Sequence, residues 1–370
     1  MRELVDLPIA PAIEKLFARA ETITPLTQYH GLFTLFAMAK AAVATGNARW
    51  LDQCKAHLDK YPDNVDHPGY SFELYRIGGI GKAFLFHNGE YGHTAEEIRA
   101  YAEETYHALR TDDGIICHKN PIPHKFIWVD AITAVAPFML YAGLALQEPR
   151  YVDFAAEQTI FMFDALLDPA CGLVHQVRGR YEEDPNRCSE DHWSRGNGWM
   201  MGGFTELIEY LPKDSPYYDG VVSRYKAFCE SLIPYQSIRG LWRQEITGEG
   251  SWEESSGSGL IAYGLGVGIR LGLLTEEKYK KAFEKALWGL ASFCISDNYH
   301  TYLSCEGNCF PGYGDERGTI YSYICIPKPF RNEPHSFGCI MLALVEALKN
   351  GYTSIKKYNQ VMFTTEEPRP

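Results

Sequence analysis

Three places in the chain set a titratable or charged group beside flat apolar surface. One is Glu190-Asp191-His192-Trp193-Ser194-Arg195-Gly196-Asn197-Gly198-Trp199, which runs into the apolar stretch Met200 to Leu211. Its tryptophans offer planar faces, and the planar fork of Arg195 can meet a carboxylate through two parallel hydrogen bonds. The glycines relieve crowding where a loop turns or lies close to another group. Sugars and their acids bind such surfaces. Packing alone would use the same residues if both indoles plugged the core beneath a helix end and Arg195 paired with Glu190 or Asp191.

A second place is Asp130, in Phe126-Ile127-Trp128-Val129-Asp130-Ala131-Ile132. A lone carboxylate among apolar residues at the mouth of a buried helix is either a helix cap or a proton donor. Burial favours its neutral, proton-carrying form and a helix N-terminus favours the anion, so an acid results only where burial wins. The third is a set of histidines: His118 and His175 at equivalent points of a weak repeat, and His192 close to Arg195. A single histidine is usually a satisfied core or surface residue; equivalent placement in a repeat favours function. No H-E-x-x-H or regular Cys/His set occurs, so no metal and no cofactor is expected. Gly78-Gly79-Ile80-Gly81-Lys82 fails the spacing of a phosphate loop and reads as close helix packing.

The elements that must position these groups are helices of two kinds. Ile9 to Ile23, Ala48 to Lys60, Thr94 to Leu109, Pro149 to Leu167, Tyr217 to Ile233 and Thr275 to Ile295 are amphipathic. Between them lie Thr27 to Ala44, Phe72 to Phe86, Ile127 to Leu146, Trp199 to Leu211, Gly257 to Leu271 and Pro334 to Lys349, which are apolar nearly all round and therefore buried. Thr94 followed by Glu97 has the pattern of a capping box. Pro137 predicts a kink or a late start for its helix. Alternation of half-buried and buried helices fits one closed double ring, an all-α (α/α)6 toroid spanning residues 1–354, with a polar C-terminal tail at 355–370 that is frayed or draped on the surface.

The weak repeat consists of Asp113-Gly114-Ile115-Ile116-Cys117-His118, Cys171-Gly172-Leu173-Val174-His175-Gln176 and Arg239-Gly240-Leu241-Trp242-Arg243-Gln244, followed by Trp128, Trp193 and Trp252. A spacing of roughly sixty residues is too long for tetratricopeptide repeats. Each unit would be a short extended turn leading into an inner helix, so its polar residues would converge on one rim. The stretch Asn298 to Phe330, rich in Gly and Pro, reads as a long irregular loop of the kind that covers a functional site.

Bulk properties narrow the function. A net charge of −12 without any basic run argues against nucleic acid as a partner, so an acidic substrate would need a local cationic pocket. The aromatic share of 14%, with 24 Tyr and 7 Trp, suits a carbohydrate cleft. Charged residues within Met1 to Ala20 rule out the uncharged core of a signal peptide there, no stretch would span a membrane, and ten scattered Cys read as reduced, mostly buried thiols. A cytoplasmic protein, monomeric or weakly homo-oligomeric, is expected.

Trp128-Val129-Asp130, Gly172-Leu173-Val174-His175-Gln176, Trp193-Ser194-Arg195-Gly196-Asn197-Gly198-Trp199, Trp252-Glu253-Glu254-Ser255-Ser256 and Pro334-His335-Ser336-Phe337-Gly338 together resemble glycoside hydrolase family 105, the unsaturated rhamnogalacturonyl and related unsaturated uronyl hydrolases. The resemblance covers nearly the whole chain in order. It implies an (α/α)6 barrel and an oligosaccharide substrate, of pectin or rhamnogalacturonan type, ending in the 4,5-unsaturated uronic acid that a polysaccharide lyase leaves. It further implies Asp130 as acid/base, His175 as the family's histidine, and His118, Arg195 and Trp199 as substrate contacts, with Arg195 near the carboxylate; from the chemistry, Trp199 or Trp193 would stack on the sugar. One departure stands out: the family often has an aspartate in the second inner helix, whereas Leu74 to Gly81 has none and Glu73 is the nearest acid.

In such a sugar the C4=C5 bond is a vinyl ether, so one group that gives a proton and then takes one from water is sufficient. Two other readings use the same residues. An ordinary inverting glycosidase would pair Asp130 with Glu253 or Glu254 as its two carboxylates. A helical binding scaffold without chemistry would form an open superhelix with no enclosed pocket.

Overall fold

The apolar periodicity decides which helices go inside. In the computed structural model, which describes residues 3–26, 28–60, 77–92, 94–118, 124–307, 309–327 and 331–359, six helices are buried almost throughout: α2 (Tyr29–Thr45), α4 (Ile77–His87), α6 (Asp130–Leu146), α8 (Ser194–Tyr210), α10 (Ser255–Arg270) and α13 (His335–Lys349). The second of these is described only from Ile77, so the absent aspartate and Glu73 lie outside the described residues. Helix α2 buries every residue from Gly31 to Ala42, and α8 every residue from Ser194 to Ile208. Each inner helix packs on the next in the order α2, α4, α6, α8, α10, α13, and α13 returns to α2, which closes the ring. A closed ring excludes the open superhelix of a scaffold.

Six amphipathic helices lie outside it: α1 (Ile9–Glu21), α3 (Ala48–Leu58), α5 (Ala95–Tyr106), α7 (Pro149–Leu166), α9 (Tyr218–Leu232) and α11 (Glu277–Gly289). Each turns one stripe inward, as α9 does with Val221, Tyr225, Phe228, Cys229 and Leu232. The inner helices approach closely where glycine faces backbone. A Cβ on Gly257 would lie 2.4 Å from the Ser194 carbonyl, and one on Gly259 would lie 2.6 Å from the Cys339 oxygen. Of the C-terminal tail, the structure describes only the part up to residue 359, where Ser354–Tyr358 (β6) pairs antiparallel with Leu4–Pro8 (β1), tying together distant parts of the chain.

Other departures from the sequence reading have local causes. Helix α6 begins at Asp130 and contains Pro137, because Ile127–Trp128 (β2) is spent on a strand. Helix α8 begins at Ser194, which puts Gly196 and Gly198 within a helix, not a loop. There they admit Val129 with Trp193, and Leu260, respectively, at about 3 Å from where a Cβ would sit. Thr94 is the N-cap of α5 but makes no side-chain cap bond; Glu97 pairs with Lys82 at 2.9 Å instead. At the end of the ring formed by inner-helix C-termini, buried Lys40, Glu206 and Glu346 and partly buried Glu209, Arg270 and Lys349 form a charge network. No helix among the described residues is long and apolar enough to cross a membrane.

Candidate active site

The three repeat units fold into the same turn at the opposite end of the ring. In each, the amide before the glycine by four or three residues reaches forward: Thr111 to Ile115 O, Asp168 to Leu173 O and Ser237 to Leu241 O, all at 2.8 Å. Gly114, Gly172 and Gly240 all have φ between 75° and 85°, a left-handed conformation that glycine adopts without strain. From these turns the chain runs into two-residue ladders. Ile127–Trp128 pairs with Val177–Arg178 (β3), and Trp242–Arg243 (β4) with Glu253–Glu254 (β5). The ladders fix the residues just before α6 and α10, so the repeat places side chains around the N-terminal rim of the inner ring.

Asp130 is the first residue of α6, whose N-cap is Val129, and no side-chain cap bond is made. The cap reading therefore does not hold. The residue is partly exposed, yet its Oδ2 is buried without a hydrogen-bond partner. Burial pushes its pKa up to about 6, against the opposing influence of Arg195 and of the Trp128 and Trp199 side chains. The indole N–H of Trp199 is likewise buried and lacks a hydrogen bond of proper geometry. An acid that is uncharged at mildly acidic pH thus lies beside two indoles.

Arg195, Trp193 and Trp199 are respectively 1%, 1% and 3% exposed, so they are packed into the interior and present no open shelf. Arg195 pairs with neither Glu190 nor Asp191. Its Nη1 donates to the Cys305 carbonyl at 2.6 Å and Ser256 Oγ at 3.2 Å, and its Nη2 to the Glu306 carbonyl at 2.6 Å. The guanidinium carbon lies 4.6 Å from the centre of a Trp193 ring, and Trp193 Nε1 donates to Cys305 Sγ at 3.2 Å. The arginine therefore anchors the loop at residues 305–306, and the open uronate grip expected of it is taken up by carbonyls. Only its Nε lacks a partner. Its charge still acts at a distance, lowering the pKa of Asp130 on one side and of Glu333 and His335 on the other.

His175 is half-buried. Its Nδ1 lies 3.3 Å from the Asp191 carbonyl, its ring is tilted against His192 at 5.1 Å, and burial holds its pKa below the usual value, so the imidazole is neutral near pH 7. His192 behaves oppositely: burial would strip its proton, but hydrogen bonding to Cys171 and Glu245 pushes its pKa up to about 10. Asp191 is fully buried, and burial together with Glu245 pushes its pKa up to about 7. Asp168, Cys171 and His192 set three possible ligand atoms within 4.8 Å of one another, a grouping that the sequence reading did not anticipate. As they stand they are mutually hydrogen bonded, with Asp168 Oδ2 at 3.1 Å and Cys171 Sγ at 3.3 Å from His192 Nε2.

His118 stacks on Phe126 at 5.3 Å across a two-way backbone bridge, which holds it on the same rim. Both glutamates of the two-carboxylate alternative have partners of their own. Glu254 is buried and caps α10, accepting from the amides of Ser256, Gly257 and Cys305, while Glu253 pairs with Arg239 at 3.2 Å. Sequence reasoning missed Tyr29, His30 and Glu333, which join His335 beside Arg195: His335 Nδ1 meets Glu333 at 2.6 Å and its Nε2 meets Tyr29 Oη. It also missed Arg180, which lies 4.3 Å over the Trp128 ring. The Asn298 to Phe330 stretch reaches this rim through Cys305, Cys309 and Phe310, and it includes a short helix, α12 (Ile320–Ile324). All ten cysteines are free thiols and seven are buried.

The chain matches the family model described as Glycosyl Hydrolase Family 88 over residues 14–351. It is 25% identical over 176 residues to an unsaturated 3S-rhamnoglycuronyl hydrolase of Alteromonas sp., a match covering 47% of this chain and 42% of that relative; the chain thus spans less than half of that relative's length. In fold it is similar to a possible member of the GH105 family from Salmonella enterica (TM-score 0.78, 20% identity, 93% of this chain and 94% of that one). It is also similar to a family 105 glycoside hydrolase from C. acetobutylicum (TM-score 0.77, 24% identity, 90% and 99%). With the closed double ring and a match over nearly its whole length, the chain belongs to glycosyl hydrolase family 88.

Proposed function

We propose that this protein is a glycosidase that removes a 4,5-unsaturated uronic acid from the non-reducing end of lyase-generated oligosaccharides by hydrating the C4=C5 vinyl ether. The observation that carries this reading is a single acid, Asp130, held largely neutral up to about pH 6 beside two indoles, while among the described residues Glu254 is taken up as the cap of α10 and Glu253 is paired with Arg239.

Asp130 gives its proton to C4. Positive charge then spreads between C5 and the ring oxygen, water adds at C5, and Asp130 takes back a proton from that water. The hemiketal so formed opens and expels the next sugar without attack at the anomeric carbon. Acid/base work of this kind is worth about 10²–10⁴ in rate. His175, neutral and with Nε2 unengaged among the described residues, holds the attacking water. Trp199 faces the sugar beside the acid, His118 borders the entrance, and Trp193 and Arg195 keep the loop at 305–306 in place. The test is loss of the conjugated alkene's ultraviolet absorbance across a panel of unsaturated disaccharides, with Asp130→Asn as control. Turnover of saturated glycosides with the alkene left intact would overturn the proposal.

A further inference from the structure

The half-buried Arg180 has no hydrogen bond and no ion pair among the described residues, although it carries five donors. It lies instead among aromatic rings, 4.3 Å from the centre of Trp128, 5.2 Å from Phe310 and 5.5 Å from Phe126. Arg317 lies 5.2 Å from the centre of the same Phe310 ring, and its guanidinium is likewise without a hydrogen bond or carboxylate partner among the described residues. Burial and the neighbouring Arg317 pull the pKa of Arg180 down to about 10, so it stays charged at neutral pH in a place that disfavours a lone cation. Two cations flanking one ring repel each other. In a chain of net charge −12 with many ion-paired arginines, leaving the half-buried Arg180 unpaired beside a second cation is a cost that an incoming anion would offset.

The position of the pair indicates which part of a ligand it meets. Trp128 directs its N–H side toward Asp130 and presents a ring face to Arg180. Arg195, Trp199 and Asp130 Oδ2 are buried, Trp128 and Arg180 are half-buried, and Arg317 is exposed. An unsaturated sugar that reaches Asp130 with its non-reducing end lies deepest, so the sugar after the cleaved bond lies outward, level with the arginine pair. We infer that Arg180 and Arg317 form an oxyanion subsite for a sulfate ester or carboxylate on the sugar that follows the unsaturated unit. This inference rests on the proposed vinyl ether hydrolysis, and it makes the pair a determinant of specificity without a part in the chemistry.

The experiment compares three unsaturated disaccharides that differ only in the second sugar: neutral, sulfated and carboxylated. Each is assayed with wild type, Arg180→Met, which keeps an apolar stem over Trp128, and Arg317→Ala. Wild type is expected to show a lower KM for at least one charged substrate than for the neutral one, and the charged arm that responds identifies the oxyanion. Each variant should raise that KM by about tenfold, as loss of a charge-assisted hydrogen bond does, while kcat and the kinetics on the neutral substrate stay within twofold. Equal losses on charged and neutral substrates, or no loss on either charged one, would overturn the subsite while leaving the hydrolase reading intact. A wild type that consumes no alkene in any arm would overturn the hydrolase reading itself, and the subsite with it.

Discussion

Asp130 and Trp199 lie beside one another with a buried acceptor and a buried donor that do not complete a hydrogen bond: Asp130 Oδ2 and Trp199 Nε1 both lack a partner of proper geometry. The indole nevertheless lowers the pKa of the acid, as do Arg195 and Trp128, while burial raises it to about 6. Catalysis as proposed needs the protonated form. On alkene loss, kcat/KM should therefore fall as pH rises through about 6. Asp130→Asn should lose about 10²–10⁴ in rate with its unfolding midpoint little changed. Trp199→Phe removes an influence that favours the anion, so the alkaline limb should move to higher pH. A limb that stays put or moves down would show that Trp199 does not tune the acid.

Asp191 makes an opposite use of burial, because its proton serves stability. Its pKa in the folded chain is about 7, raised by burial and by Glu245, against about 3.9 when unfolded. Between those values the native state binds the proton more tightly than the unfolded state, so its contribution to stability declines as pH rises from 4 through 7. Asparagine keeps an oxygen to accept from the Trp193 amide, as Asp191 Oδ2 does at 3.0 Å, and carries no charge. The melting temperature of Asp191→Asn relative to wild type should therefore climb by several degrees between pH 5 and pH 8. A difference independent of pH would mean that Asp191 is ionised throughout.

Arg195 joins α8 to the loop at 305–306 through two carbonyls, each at 2.6 Å. A lysine keeps the charge but not the fork that reaches both carbonyls. Arg195→Lys should cost roughly 3 kcal/mol, as expected for losing charge-assisted bonds to buried acceptors, and should make the segment between residues 298 and 327 susceptible to proteolysis before the rest unfolds. Activity should fall along with that loosening. If Arg195→Lys instead raised KM alone, with the loop as resistant as in wild type, the arginine would be a direct substrate contact after all.

Much of the architecture could be read from the chain because its causes are local. Residues such as Leu32, Leu35, Phe36 and Ala39 lie among neighbours that are equally apolar, so α2 had to be inside whatever its partners were. Gly114, Gly172 and Gly240 mark three copies of one turn that only their spacing could reveal. Asp130 stood out because it is the lone carboxylate in an apolar run. The start of α8 was misplaced because glycines that admit Val129 and Leu260 into a helix look, in sequence, like glycines in a loop. Arg195 was legible as important, but its partners, the carbonyls of Cys305 and Glu306, carry no side-chain signature. Arg180 could not be found at all: its meaning comes from Trp128, Phe310 and Arg317, residues that meet only in the folded rim.

The far end of the ring depends on pairings of the same invisible kind. Lys40 lies within an apolar helix, 2.5 Å from Glu206 on α8, which also accepts from Tyr141 and from Tyr263 at 2.6 Å. Burial would drive the proton from Lys40, but Glu206, Tyr210 and Glu209 outweigh it and hold its pKa above the ordinary value. Removing the ammonium would leave Glu206 buried as an uncompensated anion, a change that typically costs about 3–5 kcal/mol. Lys40→Met should therefore lower stability by that order while the pH profile of alkene turnover, set at the opposite end of the ring, keeps its midpoint. Adding Glu206→Gln removes the stranded charge, and the double variant should regain a large part of the loss; denaturant midpoints for the wild type, the two single variants and the double variant give the coupling directly. If the two losses simply add, the tyrosines hold Glu206 in place without Lys40, and the charge pair is not what closes that end of the barrel.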